Sequence, residues 1–250
     1  MRRKLFVFLV LALALLLARP PASLFDAALA HFTGDGLRLL QAEGGLWNGH
    51  GVLASRSPDG RSVAPWLPLA WRFDSAALTR GALRWVFTGS GKPLATLEAG
   101  AGGLSVDGLG LFTPADAALA SIPHPVARAG WQGDLSIEAP HWQCPPDGLC
   151  TGEARILWRG ASSALFPGRR FGDYEAKLSA TRGQIHFAIR TLDGEVRLDG
   201  QGDAEPRRMP RFDGSISGDP DFLARLPAIA GGAAKATAQP GRFEIHWPPR

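Results

Sequence analysis

Hydrophobic and polar residues alternate over many short stretches of this chain. Leu69, Trp71 and Phe73 fall on one side of such a stretch, and Ile185 and Ile189 fall on one side of another. Alternation with a period of two is typical of a β-strand that is buried on one face. The same pattern recurs in residues 83–87, 104–111, 131–137, 154–158, 196–198 and 243–247. The sequence therefore predicts a mostly β fold of antiparallel strands.

Asp-Gly pairs predict the turns that join these strands. An Asp-Gly pair between alternating apolar residues is a strong signal for a tight hairpin. Seven such pairs occur, with the aspartates at Asp35, Asp59, Asp107, Asp147, Asp193, Asp199 and Asp213. Strands joined by short turns in this way form an antiparallel meander.

Few segments have the period of a helix. Residues 21–32 carry apolar side chains at helical spacing, and residues 114–121 are long enough for two turns. Asp219 before Pro220 suits a helix start and predicts a helix over residues 219–229. The predicted sheet is thus accompanied by a few short helices.

One stretch, residues 113–130, has the weakest strand pattern and contains Pro114, Pro123 and Pro125. We predict that it is a crossover within a β-rich domain of residues 23–250. It would join two halves, at about residues 23–112 and 131–250.

The N-terminus carries a hydrophobic segment of the kind that meets a membrane. Three basic residues precede fourteen apolar residues, 5–18, and Arg19 and Pro20 follow them. This length suits a cleaved secretory signal, but proline after Ala18 disfavours cleavage there. Basic residues at both ends can also reach the interfaces and lengthen a short span. We favour a membrane helix as the anchor in residues 1–22, and a cleaved signal is the alternative.

The charges of the chain support a separate role for this segment. The chain has 27 Lys and Arg and 23 Asp and Glu, and four of the basic residues precede Ser23. The exported remainder is therefore formally neutral, which does not favour nucleic acid as a partner. We expect the basic start to keep the N-terminus in the cytoplasm and to place the rest of the chain outside it.

Two cysteines, Cys144 and Cys150, flank the sequence Pro-Pro-Asp-Gly-Leu. In an oxidising compartment such a close pair indicates a disulfide that closes a hairpin turn. The alternative is a metal site with His141, which lacks a fourth ligand at a usual spacing.

No motif in the chain supplies a catalytic group. Residues 89–93 resemble the end of a phosphate-binding loop, but Pro93 stands where Ser or Thr is needed. The chain has no Gly-x-Ser-x-Gly nucleophile elbow, and its six histidines are dispersed. We therefore predict no catalytic residue, no cofactor and no metal. A periplasmic hydrolase with an unrecognised site is the enzymatic alternative.

Tryptophan is frequent at the alternating strand positions. The chain has eight tryptophans, and Trp71, Trp85, Trp131 and Trp158 follow the strand pattern. Core packing is the ordinary explanation, because aromatic rings fit a half-buried sheet surface. The alternative is an apolar binding face, left partly open for a lipid or a partner strand.

Four stretches of the chain resemble the type II secretion system protein N family. The second stretch is centred on Gly45, Trp47 and Gly49 and resembles a Gly-x-x-Trp-x-Gly signature of that family, whose first glycine falls on Gly44. The glycines allow close backbone approach beside the Trp47 ring, so we predict a structural role for the signature. The stretches are residues 21–32, 37–53, 67–85, and 129–135 with the cysteine pair and residues 171–174.

The resemblance implies a single-pass inner-membrane protein with a periplasmic β-domain and no catalytic residues. The implied partners are other type II secretion subunits, namely the inner-membrane platform and the secretin. The resemblance also implies a distant likeness to the elongated β proteins of the AsmA type. Our leading hypothesis is a non-enzymatic accessory component of the secretion machinery. The alternative is a periplasmic β-sheet module that shields lipid acyl chains between membranes.

Overall fold

The computed structural model describes residues 20–57, 60–120, 130–205, 209–223 and 233–248. The predicted membrane helix falls on residues 1–19 and so lies outside this part of the chain. Among the residues described, no helix has the length and hydropathy needed to cross a membrane.

Fourteen strands form one antiparallel sheet in the described part of the chain. The prediction of a mostly β fold with antiparallel strands is confirmed. The strands are β1 Leu37–Gly44, β2 Asn48–Arg56, β3 Val63–Phe73, β4 Leu83–Gly89, β5 Lys92–Gly100, β6 Gly103–Pro114, β7 Trp131–Cys144, β8 Thr151–Ser163, β9 Arg170–Thr181, β10 Gln184–Asp193, β11 Arg197–Ala204, β12 Arg211–Ser217, β13 Ala234–Ala236 and β14 Arg242–Trp247.

The strands follow one another across the sheet from β1 to β12 in the order of the sequence. The last two exchange places, because β14 pairs with β12 and β13 pairs with the far side of β14. The sheet is therefore a long meander whose two edge strands are β1 and β13.

The short α-helices of the described residues begin within two residues of the positions that the sequence predicts, whereas a 3₁₀ helix was not predicted. Helix α1 covers Ser23–Thr33, α2 covers Ala115–Ala120 and α3 covers Pro220–Leu223. A 3₁₀ helix, Ser75–Arg80, joins β3 to β4. The helix predicted over residues 219–229 is described only for its first turn.

The predicted crossover at residues 113–130 connects two strands that are neighbours in the sheet. Strand β6 pairs with β7 from Leu104 opposite Cys144 to Pro114 opposite Asp134. The sheet thus continues from the first predicted half into the second, with α2 at the start of the connection. The division into halves stays a prediction.

Three Asp-Gly pairs do not form the turns predicted for them. The pairs that begin at Asp107, Asp199 and Asp213 lie inside β6, β11 and β12. At two of them an aromatic ring takes the space that a side chain would need. A Cβ atom on Gly200 would lie 2.5 Å from Cζ of Phe212, and one on Gly214 would lie 2.9 Å from it. Glycine in a strand here marks close packing, which is its other common use.

Candidate functional site

The chain enters the sheet at a structure that we call the N-terminal corner, formed by residues 20–25, the hairpin at 44–48 and the adjoining ends of β3 and β4. The backbone N–H of Leu46 donates to the carbonyl of Pro20 at 2.8 Å. The N–H of Ala22 donates to the carbonyl of Gly44, and Pro21 forms a β-bridge with Gly45. Residues 20–22 are therefore fixed to the β1–β2 hairpin.

The Gly-x-x-Trp-x-Gly signature packs this corner. A Cβ atom on Gly45 would lie 2.9 Å from the Pro20 carbonyl oxygen, and one on Gly49 would lie 2.5 Å from the Trp71 ring. The Trp47 ring stands edge-on to Phe73 at a centroid distance of 4.7 Å. Any larger residue at either glycine would force the backbone or a ring aside, so these contacts give the signature a packing role.

Trp71 and Trp85 are buried in the corner. Their exposed fractions are 3% and 8%, and Phe25 of α1 packs against both rings. The indole N–H of Trp71 donates to the Gly45 carbonyl at 2.9 Å, and that of Trp85 donates to the Leu46 carbonyl at 3.0 Å. Two of the four tryptophans for which a binding face was the alternative therefore lie inside a covered cluster.

Trp131 and Trp158 lie at a second apolar cluster, on β7 and β8. Both are half-buried, and their rings meet edge-on at 5.3 Å. They pack against a buried group that includes Phe171 and Tyr174. The Tyr174 hydroxyl donates to the Val196 carbonyl at 2.8 Å, and its pKa is raised by burial and by the nearby Asp173 carboxylate.

Beside the second cluster, an apolar row crosses the same face of the sheet. Its members are successive register partners on β6 to β11, and each is half-buried rather than buried. We call it the central apolar row; it consists of Leu111, Ile137, Ile156, Ala176, Ile189 and Gly200. None of these side chains carries a charge or a hydrogen-bonding group.

Two phenylalanine rings extend this apolar surface beside the row. The rings of Phe187 and Phe212 are parallel, with centroids 5.9 Å apart and an interplanar angle of 3°. Phe187 lies over Gly202, where an added Cβ would come 2.4 Å from its Cζ. The rings thus cover glycines of β11 and β12 and keep this face apolar.

The opposite face of the sheet is polar. Arg155 of β8 and Arg190 of β10 both bind Glu175 of β9, whose exposed fraction is 1%. Burial raises the pKa of Glu175, but the hydrogen bonds from both arginines outweigh it and hold this pKa below its usual range. The two ion pairs of Glu175 therefore link the neighbouring strands β8, β9 and β10.

A groove with a volume of about 870 Å³ lies on this polar face. Residues of both signs line it, including Glu138, Glu153, Lys177, Asp203 and Arg211. Because acidic and basic groups alternate around the groove, its charge does not favour a ligand of one sign.

Histidines on the polar face pair with acidic residues across neighbouring strands. Nδ1 of His141 lies 2.5 Å from Asp107, and Nδ1 of His246 lies 2.6 Å from Asp213. His186 pairs with Asp203, and His50 lies opposite Glu43. The sequence did not reveal these pairs, because they depend on the register of neighbouring strands. Among the described residues, no three or more ligating side chains come together as a metal site.

The two cysteines are bonded in the structure. The disulfide between Cys144 and Cys150 closes the hairpin between β7 and β8. Within this loop the Gly148 N–H donates to the Pro145 carbonyl at 2.9 Å, as expected of a turn. The Gly183 N–H donates to the Cys150 carbonyl, so the loop also contacts the next hairpin.

A comparison with protein families gives one match. The family model of type II secretion system protein N matches residues 35–239, which is most of the sheet. No curated protein and no solved structure matches the chain, so the AsmA likeness stays a prediction. The matched range includes the signature, the central apolar row and the disulfide. The chain belongs to the type II secretion system protein N family.

Proposed function

We propose that the chain is a non-enzymatic accessory subunit of the type II secretion machinery. In this proposal residues 5–18 hold it in the inner membrane, and the sheet stands in the periplasm and contacts the inner-membrane platform and the secretin. The observation that carries the proposal is the family match over residues 35–239, since the family is an accessory component of type II secretion.

The N-terminal corner supports the anchored arrangement. The Pro20 carbonyl accepts a hydrogen bond from the Leu46 N–H, so the chain is held to the sheet from Pro20 onward. With the segment in the bilayer, the corner would lie next to the membrane surface, because Arg19 is the sole residue between residues 5–18 and Pro20.

The edge of β1 is poorly suited to pairing with a partner strand. The Leu39 N–H donates to the Asp26 carboxylate at 2.8 Å, and the Leu37 N–H donates to the Thr33 hydroxyl at 3.0 Å. These side chains of α1 occupy donors that an added strand would need. We therefore expect partner subunits to bind elsewhere on the sheet.

Deletion of the chain in its host tests the proposal. We expect export of folded periplasmic substrates to fall, and expression of the full chain to restore it. A version in which residues 1–22 are replaced by a cleavable signal is the matched control for anchoring, and it should restore export less well. Unchanged export after deletion, with no secretion subunit co-purifying with the full chain, would contradict the proposal.

A second function, the shielding of lipid acyl chains in the periplasm, is favoured by one observation. The residues of the central apolar row are half-buried, whereas Trp71 and Trp85 on the same face are buried. An apolar surface that remains partly accessible is typical of a binding site. Mass spectrometry of the full chain purified in mild detergent should detect bound phospholipid, and protein free of lipid would exclude this function.

A further inference from the structure

We propose that the central apolar row binds one acyl chain of a membrane lipid, which lies across strands β6 to β11. This inference rests on the second proposed function and assigns it a site. The site differs from the tryptophan face that was the alternative to core packing, and Phe25 packs against Trp71 and Trp85 of that face.

The dimensions of the row suit an acyl chain. Its six members occupy neighbouring strands, and five spacings of about 4.8 Å give a length of about 24 Å. One leaflet of the hydrocarbon core of a bilayer is about 15 Å thick. The row is therefore long enough for an extended acyl chain.

The shape of the row has a shallow centre. Ala176 lies between Ile156 and Ile189, its register partners on β8 and β10. Its side chain is a single methyl group between two branched side chains, so the row stands lower at Ala176 than at its neighbours. Beyond Ile189 the row continues to Gly200, where the ring of Phe212 forms a flat apolar surface.

The chemistry of the row favours an acyl chain over an extended polypeptide. Backbone N–H and C=O groups of the row residues face neighbouring strands, and its side chains offer neither donors nor acceptors. A polypeptide strand laid on this face would bury its own backbone polar groups without partners, which is costly. An acyl chain has no such groups and gains from burial alone.

The position of the domain provides the source of the lipid. The Pro20 carbonyl is hydrogen-bonded to the β1–β2 hairpin, and Arg19 alone separates the apolar residues 5–18 from Pro20 in the sequence. If this segment stays in the bilayer, the sheet lies beside membrane lipid.

Adjacent residues of β8 provide a matched test. Ile156 belongs to the row, and Leu157 is half-buried on the polar face between Ser136 and Glu175. We expect Ile156→Asp to lower the bound phospholipid per protein at least about tenfold, since a carboxylate in an apolar site disfavours an acyl chain. Leu157→Asp should leave it unchanged. The measurement is quantitative lipid mass spectrometry of full-length protein purified in mild detergent.

A second pair avoids introducing a charge. Ala176→Phe fills the centre of the row, whereas Ala188→Phe places the same ring on the polar face, between Lys177 and Gln201. Only the first should lower bound lipid, and circular dichroism should show that both variants are folded. If the wild type binds lipid and neither row variant binds less, the site is wrong, but lipid shielding remains as the proposed function. A wild type without lipid, or a row variant that instead dissociates a dimer, would overturn the inference.

Discussion

The N-terminal corner and the central apolar row lie on the same face of one sheet but differ in how that face is covered. In the corner, Trp71 and Trp85 are buried beneath Phe25. In the row, Ile156 and Ile189 are half-buried. The same alternation of apolar residues therefore serves as a closed core at one place and as an accessible surface at another.

Hydrogen bonding explains why the tryptophans lie in the corner. A buried indole N–H needs an acceptor, and the corner supplies the carbonyls of Gly45 and Leu46. The side chains of the row carry no donor or acceptor that needs a partner. Aliphatic residues can remain half-exposed there without an unsatisfied polar group.

The largest expected effect is the loss of a ring from the corner. Trp71→Ala should lower the free energy of unfolding by about 3–5 kcal/mol, because it removes a buried ring and leaves a cavity. Ile189→Ala in the row should cost only about 1–2 kcal/mol, since its side chain is half-buried. Urea unfolding of both variants measures the difference, and equal losses would mean that the two regions are covered alike.

The disulfide has a smaller effect and lies outside both regions. Replacing Cys144 and Cys150 with serine should destabilise the protein by about 2 kcal/mol, because the loop that the bond closes is short. Bound lipid should not change. Thiol titration of protein taken from the periplasm should find no free thiol, and two free thiols would refute the pairing in the cell.

The smallest expected effect concerns the joint between α1 and β1. Asp26→Asn should cost about 1–2 kcal/mol, because Asp26 accepts from both Arg38 and the Leu39 N–H. Asp35→Asn is the matched control, since Asp35 is well exposed and lies 3.6 Å from Arg38. Urea unfolding should show little change for the control, and a similar loss in both variants would contradict this account of the joint.

The same carboxylate gives the joint a pH dependence. The hydrogen bond from Arg38 lowers the pKa of Asp26 in the folded state from its ordinary value, 3.8. Its stabilisation is therefore present above that value and is lost as the pH falls through the lower folded pKa. Unfolding measured at acidic pH should show a steeper loss for the wild type than for Asp26→Asn.

The fold was largely predictable from the sequence because alternation depends on neighbours along the chain. Leu69, Trp71 and Phe73 lie in β3 as predicted, and the helical spacing in residues 21–32 correctly predicts α1. The prediction of a turn at Asp199-Gly200 was wrong: the pair lies inside β11, and Gly200 leaves room for the Phe212 ring of the next strand. A contact between strands leaves no signal in the local pattern.

The candidate site was less predictable for the same reason. Alternation marks Trp71 and Ile156 as apolar positions alike, and the packing of α1 and the β1–β2 hairpin buries Trp71 while Ile156 is half-buried. The pairing of His141 with Asp107 likewise depends on the register of β6 and β7.

Carbene footprinting of lipid-stripped protein, read by mass spectrometry, tests the contrast between the two regions most directly. We expect Ile156 and Ile189 to be labelled and then protected when phospholipid is added, while Leu39 and Trp71 stay unlabelled in both states. A central apolar row that is already protected without lipid would contradict the account.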